Sequence, residues 1–240
     1  MNVVAIIQAR CGSSRLPGKV LMDIAGHPMF SRVVQRTRQA RMLTEVVLAT
    51  STEQRDEPLA ALAARLGVPC FRGSEGDVLN RFVGAAQAFN ADLVVRLCAD
   101  CPLLDGAVID RVVRVFQESK GIDYVSNNLE RTYPLGLDAE VFTRDALVHA
   151  HLEARLPYER EHVTPYIYKH PELFSLRNVI HTSDLSAYSL TVDEAADLEM
   201  VRQIYEHFQD RNFAFMDVIH FLRGNPEVGR SSQKFKRIEG

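Results

Sequence analysis

The chain has 240 residues, of which 46% are hydrophobic and 25% are charged, and its formal net charge is −3 at pH 7. This balance excludes the basic surface typical of nucleic-acid-binding proteins, and no apolar run approaches the roughly 18 residues of a membrane span. Four cysteines in a chain of this length do not make the disulfide framework of a small secreted protein. Because no basic segment precedes the first strand, we expect no signal peptide, a cytoplasmic location, and neither nucleic acid nor membrane as a partner.

Apolar runs and amphipathic patterns alternate through the first half of the chain. Val3–Ile7 is a continuous apolar run, typical of a strand buried on both faces of a parallel sheet. Further strands are predicted at 45–50, 68–71, 93–97 and 123–126, and helices at 59–66, 78–89 and 108–116. Strands that alternate with helices form parallel sheets covered on both faces, so we predict an α/β fold with a doubly wound, mostly parallel sheet.

The pattern becomes less regular after Asn127. We predict an exposed strand at 135–142, helices at 144–156, 161–169 and 195–208, and strands at 174–180 and 188–192. We interpret 128–180 as an insertion within a single domain of residues 1–240, where it would form a lid, a dimer arm or both. The polar tail from Arg230 is predicted to be mobile.

A loop of small residues and cations (8–19) follows the first strand. The small residues are Gly12, Ser13 and Ser14, and the cations are Arg10, Arg15 and Lys19. Small residues let backbone N–H groups approach an anion, and ligands bind outside the carboxyl ends of strands in open α/β sheets, so the loop predicts a phosphate site. It is not a Walker A loop, because five residues separate Gly12 from Gly18 and Val20 stands in place of the Mg²⁺-binding hydroxyl.

Two carboxylates are candidates for a magnesium site. Asp100 follows the strand 93–97 and Asp193 follows the strand 188–192, so both are expected at the same edge of the sheet. Mg²⁺ prefers oxygen ligands and usually takes only one or two carboxylates from a protein. Each aspartate would alternatively cap a helix or a turn, and both interpretations stay open at this point.

Two further motifs allow more than one interpretation. Cys98 and Cys101 form a C-x-x-C pair, which a redox or zinc site would use, although the adjacent Asp100 favours a role in the strand-end crevice. The loop 73–81 joins a strand to a helix, and it is either a nucleoside contact or the capped start of that helix.

Together these motifs resemble a known family. The loop 8–19, Arg72–Ser74, Asp100–Pro102 and Thr191–Asp193 occur in the order found in the cytidylyltransferases that activate acidic sugars, the acylneuraminate and 3-deoxy-manno-octulosonate cytidylyltransferases. The segments 124–128, 133–140 and 160–164 resemble the branch of spore-coat-polysaccharide type. The resemblance extends from about residue 3 to about residue 210. It implies the nucleotide-diphospho-sugar transferase fold, which is Rossmann-like.

The resemblance also implies roles for individual residues. The loop would bind CTP, and Asp100 and Asp193 would hold Mg²⁺. The implied nucleotide-binding residues are Ala9, Arg10, Gly12, Ser13, Arg15, Lys19, Arg72, Ser74, Asp77 and Arg81. The implied catalytic residues are Arg10, Lys19, Asp100 and Asp193, and the implied substrate-binding residues are Tyr133, Gly136, Asp138, Glu140 and His162.

The implied activity is transfer of CMP from CTP to an acidic sugar of the nonulosonic or octulosonic type, with release of pyrophosphate. It would serve the synthesis of a surface polysaccharide. Mg²⁺ is the implied cofactor, and a homodimer is the implied assembly. Two alternatives stay open: a nucleotidyltransferase that acts on a sugar 1-phosphate, and a non-catalytic protein that binds a nucleotide or a glycan on the same scaffold.

Overall fold

The apolar runs of the sequence form strands in the structure, a computed structural model that describes residues 1–209 and 211–229. The strands are β1 (Val3–Gln8), β2 (Asp23–Ile24), β3 (His27–Pro28), β4 (Glu45–Ser51), β5 (Cys70–Gly73), β6 (Leu93–Cys98), β7 (Tyr124–Ser126), β8 (Glu140–Thr143) and β9 (Leu176–Asn178). The helices are α1 (Met29–Thr37), α2 (Glu57–Arg65), α3 (Val78–Ala88), α4 (Gly106–Glu118), α5 (Arg144–Glu153), α6 (Pro157–His162), α7 (Pro165–Lys169), α8 (Ala195–Phe208) and α9 (Phe215–Gly224). The tail from Arg230, predicted to be mobile, lies outside the described residues.

The described strands other than the hairpin β2–β3 form one seven-stranded sheet in the order β5-β4-β1-β6-β8-β7-β9. β1 pairs in parallel with β4 and β6, whereas β8 is antiparallel to both of its neighbours. From β1 the chain builds outward through β4 to β5 and then returns to place β6 on the other side of β1. The carboxyl ends of β1 and β6 therefore flank the switch point at which open α/β sheets bind ligands.

Two apolar cores lie on opposite faces of this sheet. Ala5 and Ile7 pack with α1, α2, α4, α8 and α9 on one face, and Val4 and Ile6 pack with α3, α5 and α7 on the other. Successive side chains of a strand point to opposite faces, so an apolar run is needed to fill both cores. The predicted α/β fold with a doubly wound, mostly parallel sheet is confirmed. None of the described helices has the length and apolar character needed to cross a bilayer.

The predicted elements of the first half are confirmed, with boundaries within two residues of the observed ones. The prediction missed α1 and the hairpin β2–β3. Helix α1 buries two arginines, Arg32 and Arg36, which are 3% and 2% exposed. The apolar residues Met29, Phe30, Val33 and Val34 do recur at helical spacing, so the periodicity was present in the sequence and the prediction overlooked it.

Three predictions for the second half were wrong, two of which concern the segment 135–169. The strand predicted at 135–142 is limited to β8, and it is central rather than exposed, because β8 lies between β6 and β7 with Val141 and Phe142 fully buried. The helix predicted at 161–169 is interrupted, since Val163 has φ of +72° and Pro165 begins α7. The remaining helices of that half, predicted at 144–156 and 195–208, contain α5 and α8.

The strand predicted at 188–192 was also wrong, and the contacts of this segment explain why. It is an extended loop with a single bridge between Leu135 and Ser189. The N–H of Leu190 donates to the carbonyl of Leu135 over 2.7 Å, and the N–H of Val192 donates to the carbonyl of Asp100 over 2.8 Å. These bonds fix the segment against the loop that precedes β8 and the loop that follows β6 instead of against a strand.

The segment 128–180 contributes β8, α5, α6, α7 and β9, and two of these elements are strands of the main sheet. Leu152, Leu156 and Tyr158 within it are 58%, 58% and 45% exposed. Its predicted role as a lid or a dimer arm stays a prediction.

Gly136 allows a close approach of two backbone segments. Its φ is +97°, and a Cβ atom at this position would lie 2.8 Å from the carbonyl carbon of Leu190 and 2.9 Å from the nitrogen of Thr191. Real Cβ atoms do not approach backbone this closely. The absence of a side chain at Gly136 therefore lets residues 190–191, which lead to Asp193, pack directly against this backbone.

We expect Gly136→Ala to lower the free energy of unfolding by about 2–4 kcal/mol, through left-handed strain and overpacking. Gly121→Ala is the matched control, because Gly121 has φ of +63° and a Cβ there would meet no atom within 4 Å. The control should lose only about 1 kcal/mol. Urea unfolding measures both losses, and equal losses would contradict the close-approach explanation.

Candidate active site

A cavity of about 360 Å³ opens at the carboxyl ends of β1 and β6. Its walls are formed by the loop after β1, the end of β6, the start of α3, the end of α6 and Asp193 before α8. The predicted site residues that line it are Ala9, Arg10, Gly12, Ser13, Arg15, Lys19, Arg81, Asp100, His162 and Asp193. The structure thus brings the predicted phosphate loop and both predicted metal carboxylates to one cavity.

The loop after β1 is closed by its own backbone. The N–H of Gly18 donates to the carbonyl of Cys11 over 2.9 Å, and Gly18 has φ of +72°. The N–H of Leu16 donates to Oγ of Ser13 over 3.3 Å. The N–H of Cys11 is tied to Oδ1 of Asp56 at 2.7 Å. These bonds hold the small residues of the loop at the cavity wall.

The ammonium of Lys19 joins the two carboxylates. Its Nζ lies 3.2 Å from Oδ2 of Asp100, 3.0 Å from Oδ1 of Asp193 and 2.7 Å from the carbonyl of Val192. Burial lowers the pKa of Lys19, but the charges of Asp100 and Asp193 outweigh it, so its pKa lies above the ordinary value. The guanidinium of Arg15 adds a second cation, 2.9 Å from Oδ1 of Asp193.

Neither carboxylate acts as a helix cap. Asp105 is the N-cap of α4, and Glu194 is the N-cap of α8. Asp197 accepts the backbone N–H groups of Asp193 and Glu194 at 3.1 and 2.9 Å, which leaves the Asp193 carboxylate directed at Lys19. The helix-capping alternative that the sequence left open is therefore excluded for both aspartates.

This donor set fits a magnesium ion that is shared with a phosphate ligand. Asp100 and Asp193 supply hard carboxylate oxygens, and both reach the same Nζ atom within 3.2 Å. Residues 1–209 and 211–229 contain no group of three or more His, Cys, Asp or Glu side chains that would form an all-protein metal cage. Mg²⁺ is commonly held by one or two carboxylates together with substrate phosphates, so two suffice.

Arg10 and Arg81 add positive charge to the wall of the same cavity. Nη1 of Arg10 lies 3.6 Å from Glu75, and Nη2 lies 3.8 Å from Glu161. Arg81 is only 2% exposed, and its Nε has no hydrogen-bond partner in the described part of the chain. Burial, assisted by the charge of Arg10, lowers the pKa of Arg81 to about 10, so this cation is desolvated yet protonated at neutral pH.

Three of the implied nucleotide-binding residues do not line the cavity. Arg72 donates to the carbonyl of Ser51 over 2.9 Å and forms an ion pair with Glu57. Oγ of Ser74 accepts the N–H of Asp77 at 3.0 Å, and Asp77 caps α3 through the N–H of Asn80. For Ser74 and Asp77 these contacts favour the capped start of a helix over a direct nucleotide contact, whereas Arg81 of the same loop lines the cavity.

A second cavity, of about 350 Å³, adjoins the first at His162, which lines both. The buried carboxylate of Glu140 lies on its wall, where it pairs with Arg96 and accepts the hydroxyls of Tyr124 at 2.6 Å and Thr164 at 2.7 Å. Other residues on this wall that the sequence did not indicate are Arg96, Arg131, Tyr158 and Tyr168. Asp138 lies behind it in an ion pair with Arg131.

Three of the implied substrate-binding residues, Tyr133, Gly136 and Asp138, line neither cavity. Tyr133 is 1% exposed, its hydroxyl accepts Nη1 of Arg111 at 3.1 Å, and its ring packs against Phe215 and His181. Tyr133 thus lies in the core, and the role of Gly136 is to allow the close approach of the Leu190–Thr191 backbone.

The cysteines do not form a reactive site. Cys11, Cys70, Cys98 and Cys101 are all free thiols. Burial raises the pKa of Cys98 to about 12 and that of Cys101 well above its ordinary value. Because the thiolate is the reactive species, these neutral thiols are poor nucleophiles.

Comparison with known proteins agrees with this geometry. A family model described as cytidylyltransferase matches residues 4–217. The chain belongs to the cytidylyltransferase family. It is therefore a nucleotidyltransferase, and the resemblance seen in the sequence is confirmed.

Relatives of this cytidylyltransferase come from bacteria and archaea. It is 36% identical to the uncharacterized protein MJ1063 of Methanocaldococcus jannaschii, over 95% of this chain and 93% of that one. It is 32% identical to the spore coat polysaccharide biosynthesis protein SpsF of Bacillus subtilis, over 95% and 96% of the two chains. It is 31% identical to the 8-amino-3,8-dideoxy-manno-octulosonate cytidylyltransferase of Shewanella oneidensis, over 71% and 72%.

A solved structure of a cytidylyltransferase from Leptospira borgpetersenii superposes on this cytidylyltransferase with a TM-score of 0.92. The two chains are 34% identical, and the superposition covers 98% of each. The fold of the family is thus present over the whole described sheet.

We expect Lys19→Met to lower the free energy of unfolding by about 2 kcal/mol at pH 8, because two carboxylates then face each other without a cation. A group whose pKa is raised by folding stabilises the fold below its ordinary pKa and stops doing so as the pH rises through the folded value. The ordinary value for Lys19 is 10.5, so the difference between wild type and variant should shrink above that pH.

Guanidinium unfolding at pH 8 and at pH 11 measures this difference. Lys120→Met is the control, because Lys120 is exposed, and it should change stability by less than about 0.5 kcal/mol. A loss for Lys19→Met that is the same at both pH values would show that the ion pairs are not its cause.

Proposed function

We propose that this cytidylyltransferase transfers CMP from CTP to an acidic sugar of the nonulosonic or octulosonic type, releases pyrophosphate, and serves surface polysaccharide synthesis. The observation that carries the proposal is the convergence of Asp100 and Asp193 on Lys19 beside the glycine-serine loop. The names of the relatives in Bacillus and Shewanella support the sugar class and the polysaccharide pathway.

The first cavity is suited to a triphosphate. Backbone N–H groups around Gly12 and Ser13 would face its oxygens, and Ala9 would line the entrance. Arg10, Arg15 and Lys19 would offset the charge that develops on the leaving pyrophosphate. Arg81 is buried, and its Nε has no hydrogen-bond partner within 1–209 and 211–229, so it would gain a hydrogen bond on the nucleotide side.

Mg²⁺ is the proposed cofactor, held by Asp100 and Asp193. When bound there, it would neutralise phosphate charge and favour the ionised form of a hydroxyl near it. The Lys19 ammonium orients both carboxylates before a nucleotide arrives, since each accepts a hydrogen bond from its Nζ. This preorganisation lowers the cost of assembling the charged site.

The second cavity is the proposed acceptor site. An acceptor hydroxyl would attack the α-phosphorus of CTP, the bond between that phosphorus and the pyrophosphate oxygen would break, and the hydroxyl proton would be released. His162 lines both cavities and is therefore placed between nucleotide and acceptor. Arg96 and Arg131 line the second cavity. Each is held in place by an ion pair, Arg96 with Glu140 and Arg131 with Asp138.

A homodimer is the proposed assembly. Leu152, Leu156 and Tyr158 expose apolar surface on α5, α6 and the link between them, and Tyr158 also lines the second cavity. Covering that surface with a second copy would bury apolar area and close the acceptor site on one side.

Pyrophosphate release across nucleotides and acceptors tests the activity. CTP, UTP, GTP and ATP are each offered with an octulosonic acid, a nonulosonic acid and a set of sugar 1-phosphates, in the presence of Mg²⁺. We expect CTP with one of the acids to exceed the other pairs by about tenfold or more. Faster turnover with a sugar 1-phosphate, or CTP binding without any release, would contradict the proposal.

We expect Asp100→Asn to lower turnover by about 10²–10³-fold and to leave the fold intact. Lys19 retains its bonds to Asp193 and to the carbonyl of Val192, so the local structure keeps two of its three contacts. The control is Asp145→Asn, an exposed aspartate in the first turn of α5, which should keep wild-type turnover. Wild-type rates for Asp100→Asn with Mg²⁺ would remove Asp100 from the mechanism.

A further inference from the structure

The chain reverses sharply at Val163, between α6 and α7. Val163 has φ of +72° and ψ of −57°, and the N–H of Thr164 donates to the carbonyl of His162 over 2.9 Å. This is the geometry of a γ-turn with a positive φ at its central residue, which is the rarer and more strained of the two γ-turn forms.

Val163 is an unusual residue for such a turn. A positive φ brings the Cβ atom of an L-residue against its own backbone, and for a side chain branched at Cβ this conformation is an outlier. Of the four non-glycine residues with positive φ among 1–209 and 211–229, Val163 is the only β-branched one and the only buried one. Strained backbone of this kind occurs mainly at functional sites, so the surroundings of Val163 are informative.

The turn sends three consecutive side chains to two different places. Val163 is fully buried in the apolar core that also contains residues of α3, α5 and α7. His162 and Thr164 both line the second cavity. In a helix that continued through this point, side chains two positions apart would lie on opposite faces. The reversal at Val163 is therefore what brings His162 and Thr164 to one wall.

Hydrogen bonds on both sides hold the turn in its strained form. The N–H of Val163 donates to the carbonyl of Glu159 over 3.1 Å. The hydroxyl of Thr164 donates to the buried carboxylate of Glu140 over 2.7 Å. A strained conformation persists only where its surroundings determine it, and here burial and these two bonds do so.

Helix α6 is anchored at Arg160, two residues before His162. Arg160 donates to the carbonyl of His151 in α5 over 2.7 Å and forms an ion pair with Asp77. Asp77 is the N-cap of α3, where it accepts the N–H of Asn80. Because α6 is tied to α3 and α5 in this way, loss of the turn would displace His162 and Thr164 rather than the whole helix.

We propose that Val163 is a positioning residue for the acceptor and that it acts through His162 and Thr164. Burial of its side chain keeps the strained turn in place. The turn in turn holds His162 at the junction of the two cavities and Thr164 against Glu140. The link to the acceptor rests on the proposed function, because it takes the second cavity as the acceptor site, whereas the strained turn does not.

Replacing Val163 by alanine and by glycine separates strain from packing. Both variants lose the buried methyl groups, but alanine keeps the Cβ atom and its strain, while glycine relieves the strain. At an ordinary helical position, glycine is less stable than alanine. Val148 provides the matched control, since it lies in α5, packs against the same core and is not among the residues with positive φ.

We expect Val163→Gly to have a thermal unfolding midpoint about 2 °C above that of Val163→Ala. At the control position the order should be the opposite, with Val148→Gly about 3 °C below Val148→Ala. If glycine were the less stable variant at both positions, the turn would not be strained and the proposal would be overturned.

Acceptor kinetics test the positioning role. The KM for an octulosonic acid and for a nonulosonic acid is measured with CTP and Mg²⁺. Glycine frees the backbone on both sides of residue 163, so we expect Val163→Gly to have an acceptor KM about tenfold above that of Val163→Ala. The KM for CTP should agree within about twofold between the two variants.

The more stable variant would then bind the acceptor less well, which is an order that a purely structural role does not produce. Equal acceptor KM values in Val163→Gly and Val163→Ala would overturn the positioning role.

Hydrogen exchange gives a measurement that needs no turnover. The amide of Thr164 closes the turn, and it should exchange about tenfold faster in Val163→Gly than in Val163→Ala. The amide of Ala154, which donates to the carbonyl of Ala150 at the end of α5, should exchange equally in both. Equal exchange of the Thr164 amide would show that Val163 does not hold the turn.

These measurements separate the proposal from the proposed function. If the wild-type protein turned over neither acid, the proposed function would fail. The unfolding midpoints and the exchange of the Thr164 amide would still decide whether Val163 holds His162 and Thr164 in place.

Discussion

One ammonium group holds the candidate active site together. Lys19 follows the glycine-serine loop, Asp100 follows β6, and Asp193 precedes α8, so the three charges come from separate parts of the chain. Two carboxylates this close would repel each other without a cation between them. The Lys19 ammonium is therefore a tertiary link between three separate parts of the chain.

The sheet could be predicted from sequence because its central strands are buried on both faces. Val3–Gln8 and Leu93–Cys98 carry unbroken apolar runs that only a parallel, doubly covered sheet accommodates. Prediction failed where charged side chains are buried or where a strand lies deeper in the sheet than its sequence pattern indicates. Helix α1 buries Arg32 and Arg36 by stacking and carbonyl contacts, which no periodicity reveals. The strand at 135–142 was predicted to be exposed because the sequence does not show that β8 pairs with β6 on one side and β7 on the other.

The candidate site was predictable to the extent that it lies at strand ends. The loop cations and both aspartates meet at the switch point that the strand pattern indicates. The sequence does not show which distant side chains pair with each other. These pairings decide which of the other implied residues line a cavity. Arg72 is engaged with Glu57, and Tyr133 is engaged with Arg111, so neither lines a cavity despite its position in a matching motif. Arg96 was overlooked because its partner, Glu140, comes from another strand.

The late position of Asp193 along the chain has a consequence for synthesis on the ribosome. The central strands and the phosphate loop emerge first, while one half of the carboxylate pair emerges after most of the sheet has been translated. A prematurely terminated product that ends before Asp193 lacks this half, and it also lacks α8 and α9, which cover one apolar face. Such a fragment would expose apolar surface of the kind that chaperones and proteases recognise, so incomplete copies would be removed.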